Sequence, residues 1–176
     1  MQNSYEAIIT ESTKETFNSY IQCVDIPEID YFAIGIQNIL LKKSISLMSR
    51  SEWQNLFVKN NFAPYDPVRK AMLFSKRTII PFSELDYCSS FGQEIMRQRA
   101  LEGIKDGIIL IKKTGKYNII LTLGTGYSSF DAYDFLKKYH DRIELIKNDI
   151  FKIIEKDAKI FIKNTKKIIR PSNDAK

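Results

Sequence analysis

The sequence has few of the residues that form disulfides, metal sites or acid–base pairs, with two cysteines and one histidine in 176 residues. Cys23 and Cys88 lie far apart and form no CxxC pair, so neither a disulfide framework nor a zinc site is indicated. His140 lies beside Asp141 in the helical-looking run FLKKYHDRIEL, with no nucleophile motif around it, and is interpreted as a surface residue. Carboxylate clusters with the spacing of metal ligands are also missing. We therefore expect no catalytic residues, no metal, no cofactor and no enzyme activity.

Long hydrophobic runs are missing as well. No stretch approaches the roughly 18 apolar residues that a membrane-spanning helix needs. The N-terminal segment MQNSYEAIITESTKE has neither the basic leader nor the apolar core of a secretory signal. We therefore expect a cytoplasmic protein that does not associate with membranes.

The apolar residues that are present suit one packed domain, with 44% hydrophobic and 12% aromatic content. The net charge of +6 invites a nucleic-acid interpretation, but many lysines fall in the last third of the chain, where acidic residues interleave with them. That pattern is typical of a solvated helix face. Only the final KNTKKIIRPSNDAK is basic without much compensation, and a polar linker is the simpler interpretation.

Helix and strand patterns alternate along the chain in an informative order. Strand patterns cover residues 31–37, 44–49, 78–82, 107–113 and 117–123, with the third expected in the centre of the sheet. Helical periodicity predicts a first helix ending near residue 27, then helices at 52–59, from 67, at 89–101, and two more that close the chain. Hairpin links between the first two and the last two strands predict an antiparallel sheet. The expected fold is therefore an α/β/α sandwich, with a mostly antiparallel five-stranded sheet covered by helices on both faces.

The stretch WQNLFVKNNFAPYDP allows two interpretations. In the first, Trp53 and Phe57 belong to the core, and Asp66 is the N-cap of a helix that begins at Pro67. In the second, the aromatic residues line an apolar cavity in which the indole N–H of Trp53 donates to a ligand and the carboxylate of Asp66 accepts from it. Composition and spacing alone favour the first interpretation.

An ordered set of motifs adds weight to the second interpretation. The set consists of Trp53-x-x-x-Phe57, Asp66-Pro67 thirteen residues after the tryptophan, Phe82 at the end of the next strand, and Gly103-x-x-x-Gly107 before a late strand. From about Phe17 to Ile162 the chain resembles the autoinducer-binding domain of LuxR-type quorum-sensing transcriptional regulators. The resemblance implies a signal-binding domain over residues 1–164, followed by a basic polar tail or linker over 165–176. The implied ligand is a small acylated molecule such as an N-acyl homoserine lactone, held between the sheet and one helical layer.

The resemblance implies roles for three residues of the opening motif. Trp53 would donate to the lactone carbonyl, Asp66 would accept from the ligand amide, and Phe57 would pack on the ligand. Asparagine also caps helices well. We therefore expect Asp66→Asn to weaken ligand binding and to leave the fold largely intact.

Three further positions correspond to positions of the family, and departures from the family's usual residues leave the identity of the ligand open. Thr122, on the last strand, would bind the acyl carbonyl or the amide. Phe82 would close the pocket around the lactone ring, although Pro81 competes for that alignment and the family usually has a tryptophan there. Ser49 stands where the family commonly has a tyrosine, and Phe57 also replaces a usual tyrosine. A different lactone, a non-lactone signal or an emptied pocket all stay open.

LuxR-type regulators continue into a helix-turn-helix domain, which is not present after Ile162 in this sequence. As given, the chain lacks the element that reads base edges in a groove, so we expect no sequence-specific DNA binding by it. It is either the signal-binding half of a longer regulator or a stand-alone protein that dimerises with a full-length regulator and inhibits it. The expected partners are a small-molecule signal and a second subunit, in a homodimer or in a heterodimer with a LuxR-type regulator.

Overall fold

The computed structural model describes residues 9–39, 44–115 and 117–169, and within these ranges the chain forms five strands and five α-helices. The strands are β1 Tyr31–Asn38, β2 Ser44–Met48, β3 Ile79–Pro81, β4 Asp106–Lys113 and β5 Tyr117–Thr125. The helices are α1 Glu11–Gln22, α2 Ser51–Lys59, α3 Pro67–Phe74, α4 Ser90–Leu101 and α5 Ala132–Ile169. A short 3₁₀ turn, Phe82–Glu84, follows β3. None of these helices is both long enough and apolar enough to cross a membrane.

The strands form one sheet in the order β2-β1-β5-β4-β3, and every described pairing is antiparallel. Alternate residues of each strand point to opposite faces. On one face Ile34 and Leu121 pack in a core beneath α1 and α5. On the other face Ala33 and Ile120 pack in a second core with residues of α2, α3 and α4. The predicted sandwich, with an antiparallel five-stranded sheet and helices on both faces, is confirmed.

One sequence prediction about the order of elements was wrong. The third strand was expected in the centre of the sheet, but β3 lies at the edge of the sheet and, among the described strands, pairs with β4 alone. Two closing helices were also expected, and α5 consists of two helices that meet at a kink at Tyr139, where φ is −117° and ψ is 18°. The segment contains neither proline nor glycine, so neither residue causes the kink, and the chain is helical on both sides of it. The predicted turn at 38–43 and the predicted tail at 165–176 lie largely outside the described residues, although α5 continues to Ile169.

The turn between α2 and α3 places Asp66 against the second core. Asp66 is the N-cap of α3, as predicted, with Pro67 in the first helical turn. Its side chain accepts from the backbone N–H of Val68 at 3.3 Å. Because the cap is only 4% exposed, the carboxylate faces the protein interior and requires partners there.

Candidate ligand-binding cavity

A cavity of about 230 Å³ lies between the sheet face formed by β1, β2 and β5 and the helices α2 and α3. Apolar side chains supply much of its wall, among them Ala33, Phe57, Val68, Met72 and Ile120. Small-molecule sites typically measure about 300–1,000 Å³. The cavity is therefore suited to a compact ligand with an apolar portion.

Asp66 lines this cavity and forms a buried ion pair. Its Oδ1 atom accepts from Arg99 Nη2 at 2.8 Å as well as from the Val68 N–H. The side chains of Arg99 and Asp66 are only 4% and 6% exposed. Truncating one partner of such a pair costs far more than removing both, because the remaining charge stays buried.

Arg99 is the main site residue that the sequence analysis missed. It belongs to the buried face of α4, together with Gly92 and Ile95. Its guanidinium carbon lies 5.3 Å from the ring centroid of Trp53 and 5.7 Å from that of Phe82, so the cation is within cation–π distance of two aromatic rings. The four-residue step from Ile95 to Arg99 is the sequence signal for its position, because residues four apart share a helix face.

The donors of Arg99 are only partly paired. Nη2 donates to Asp66 and Nη1 to the sulfur of Met96 at 2.9 Å, which is a weak acceptor. Nε is buried and has no acceptor within the described part of the chain. The guanidinium therefore retains hydrogen-bonding capacity inside the protein.

Trp53 lies behind the cavity wall. Its indole is fully buried and packs edge-on against Phe57, with the ring centroids 5.7 Å apart, and also against Phe62 at 6.1 Å. Its Nε1 atom makes no short, well-aligned hydrogen bond to a described residue. Tyr31 lines the cavity nearby, and burial raises the pKa of its phenol, an effect that the Arg99 charge partly offsets. A hydrogen bond from the Trp53 indole also lowers the pKa of that phenol.

The remaining predicted residues fall in different places. Thr122, on β5, lines the cavity beside Ala33 of β1. Phe82 is buried in the turn after β3 and contacts the Arg99 guanidinium, but it does not form part of the described cavity wall. Ser49 lies outside the cavity, where its hydroxyl accepts from the backbone N–H of Phe32 at 3.0 Å. The fold therefore places Phe57, Asp66 and Thr122 on the wall, Trp53 and Phe82 behind it, and Ser49 elsewhere.

The charged side chains on the described cavity wall are one carboxylate and two guanidinium groups, those of Asp66, Arg69 and Arg99. Burial lowers the pKa of Arg69, while the neighbouring Asp66 charge raises it. His140 does not line this cavity; its side chain is 72% exposed on α5. The described residues contain no group of three or more side chains able to hold a metal ion. The cavity is therefore an apolar space with charged side chains on part of its wall.

Comparison with known proteins finds similar solved structures but no matching family model or curated sequence. No protein-family model and no curated protein sequence matches the chain. The Escherichia coli protein SdiA superposes with a TM-score of 0.63 at 15% identity, covering 84% of this chain and 62% of SdiA. SdiA in complex with octanoyl-rac-glycerol gives a TM-score of 0.57 at 14% identity, covering 85% of this chain and 68% of that one. CepR2 from Burkholderia cenocepacia, an N-acylhomoserine lactone dependent LuxR family transcription factor, gives 0.56 at 14% identity, covering 81% and 78%.

These structures define the class of fold to which the chain belongs. The fold is that of LuxR-family quorum-sensing regulators, and the resemblance predicted from the ordered motifs is confirmed at the level of the fold. The chain spans about two thirds of the SdiA chains that it matches.

Proposed function

We propose that this chain is a signal-binding domain that holds a small acylated molecule of the N-acyl homoserine lactone type in the cavity beneath α2 and α3. The observation that supports this proposal most directly is that the cavity has an apolar wall and one buried polar cluster. Ala33, Met72 and Ile120 suit an acyl chain, and Asp66 and Thr122 suit its polar head. The superposition on CepR2 and on SdiA carrying an octanoylglycerol supports a ligand of this class.

Ligand binding should stabilise the domain by mass action. A ligand at a hundredfold excess over its Kd adds about 2.7 kcal/mol, which corresponds to a rise in Tm of about 5–10 °C at this chain length. Thermal unfolding should be recorded with acyl homoserine lactones of increasing chain length and with octanoylglycerol. Emission from Trp53, the single tryptophan, provides a second readout because its ring packs against Phe57 on the cavity wall.

A cavity-filling variant locates the binding site. Ala33→Leu places three additional carbons in the cavity without removing a polar group, and it should abolish the rise in Tm. Ala100→Leu is the matched control, because Ala100 is half-buried on α4 and does not form part of the described cavity wall. The control should respond to ligand as the unmodified chain does.

Cooperative unfolding at the same Tm with every compound would contradict the proposal. That result would favour the other class of function, a protein that dimerises with a full-length regulator without a ligand. Dimerisation itself stays a prediction, and sedimentation of the chain alone and mixed with such a regulator would measure it.

A further inference from the structure

Tyr31 is a residue of the cavity wall to which the sequence analysis gave no role. It begins β1, and its side chain lies on the same face of the sheet as Ala33, in the core shared with α2, α3 and α4. The residue is only 2% exposed and lines the cavity. Its phenol is therefore a buried polar group at the surface of the candidate ligand site.

The ring of Tyr31 is held against the neighbouring strand. Tyr31 pairs with Gly124 of β5, and a Cβ atom on Gly124 would lie 2.8 Å from Cδ1 of Tyr31. The same Cβ atom would lie 2.8 Å from Cγ2 of Ile104, so the ring occupies a confined space that a side chain at position 124 would fill. A polar group on a ring held in this way is preorganised, which lowers the entropic cost of binding a ligand.

The hydroxyl proton of Tyr31 is available for a further hydrogen bond. A phenol can donate one hydrogen bond and can also accept. Among the described residues its hydrogen-bond partner is the Trp53 indole, which is a donor only. The nearby guanidinium groups of Arg50 and Arg99 are donors only as well. Burial raises the pKa of the phenol, so the proton stays on the oxygen at neutral pH.

Asp66 approaches the cavity from the opposite side. Tyr31 belongs to the sheet, whereas Asp66 caps α3 in the helical layer that covers this face. Both described hydrogen bonds to the Asp66 carboxylate end at Oδ1, and Oδ2 is its second acceptor atom. The sheet side of the cavity therefore offers a donor and the helical side an acceptor.

This arrangement fits a secondary amide. Such an amide is planar and trans, so its C=O and N–H groups point in opposite directions. We infer that Tyr31 donates to the acyl carbonyl oxygen of an N-acyl ligand whose N–H group donates to Asp66. The inference rests on the proposed function, because it assumes that an acyl compound occupies the cavity. A carbonyl oxygen has two lone pairs, so this role is compatible with the one implied for Thr122.

The test compares two ligands by isothermal titration calorimetry, N-octanoyl homoserine lactone and the thioamide in which sulfur replaces its acyl oxygen. The thioamide keeps the chain, the ring and the N–H group but presents sulfur, which is a weak acceptor. The unmodified chain should bind the amide about tenfold more tightly, a difference of about 1.4 kcal/mol. Tyr31→Phe keeps the ring beside Gly124 and removes the donor, so the two compounds should bind this variant within about twofold of each other.

Tyr20→Phe is the matched control. Tyr20 lies on α1, on the other side of the sheet, where its hydroxyl donates to Asp149 at 3.0 Å. It does not form part of the described cavity wall. This variant also removes one phenol hydroxyl, and it should retain the tenfold preference of the unmodified chain for the amide.

The infrared band of an isotope-labelled acyl carbonyl gives a second measurement that needs no variant. A carbonyl that accepts a hydrogen bond absorbs at a lower wavenumber than the same carbonyl in an apolar solvent. The band of the ligand bound to the unmodified chain should therefore shift to lower wavenumber.

The outcomes separate the two proposals. If Tyr31→Phe left the ratio of the two affinities unchanged, Tyr31 would only support its neighbours, and the inference would be overturned. Equal binding of amide and thioamide by the unmodified chain, or a bound carbonyl band at its apolar-solvent position, would also overturn it. Each of these results leaves the proposed function in place. Failure of both compounds to bind the unmodified, folded chain overturns both proposals.

Discussion

The substitution Asp66→Asn should destabilise the domain strongly, although asparagine caps helices as well as aspartate does. The Val68 N–H keeps an acceptor in the variant, so the cost from the cap itself is small. The Arg99 cation, however, loses its counter-charge while it stays buried. Removing one partner of a buried ion pair costs about 3–5 kcal/mol. The structure thus replaces the sequence expectation of a largely intact fold with one of substantial destabilisation.

Urea unfolding of three variants measures this effect. Asp66→Asn and Arg99→Met should each lower the midpoint with little change in the slope m, which reports the surface exposed on unfolding. The double variant should be more stable than the sum of the single costs implies, because neither Asp66 nor Arg99 then remains as a buried charge without the other. Such non-additivity between contacting residues typically amounts to about 0.5–3 kcal/mol. If Asp66→Asn cost less than about 1 kcal/mol, or if the two single costs simply added, the ion pair would not be the structural element described here.

Three further variants test other parts of the fold. Gly107→Ala should cost about 1–3 kcal/mol in urea unfolding, because its Cβ would lie 2.9 Å from a backbone atom of β5. Gly115→Ala has no atom within 4 Å and adds only the strain of its φ of 76°, so it should cost less. A larger cost for Gly115→Ala than for Gly107→Ala would contradict this packing. Burial and a hydrogen bond to Asp149 raise the pKa of Tyr20 from 10.0 to about 12. Tyr20 therefore contributes stability below pH 10 that is lost as the pH rises towards 12, and Tyr20→Phe should remove this alkaline loss; parallel pH profiles of the two proteins would refute the assignment. Asp157→Ala should cost about 1.5–3 kcal/mol. The buried Asp157 carboxylate accepts, at 2.9 Å, from the backbone N–H of Thr10, the residue that caps α1. A change within about 0.5 kcal/mol in urea unfolding would show that the contact is dispensable.

Local patterns predicted the segments of the fold because periodicity reports which faces are buried. The stripe Ile143, Ile146 and Ile150, read from the sequence as a covered face, lies in the core beneath α5. The edge position of β3 was not predictable in this way, since strand order depends on pairing between segments far apart in the chain.

The candidate site residues came from the family resemblance, because composition and spacing alone favoured a purely structural role for the motif. Asp66 and Thr122 line the cavity as the motif implied. Arg99 was missed because an arginine in a run such as QEIMRQRAL is usually solvated, and its burial requires the aspartate and the aromatic rings that three other segments bring to it. Whether these residues contact a ligand stays a prediction.

The edge strand β3 has a consequence for how the domain behaves at high concentration. An open strand edge can pair with a strand of another molecule and initiate aggregation. Here the edge is three residues long and ends at Pro81, which has no backbone N–H to donate. That side of the sheet is therefore a poor template for strand addition, and concentrated samples should resist β-sheet aggregation through it.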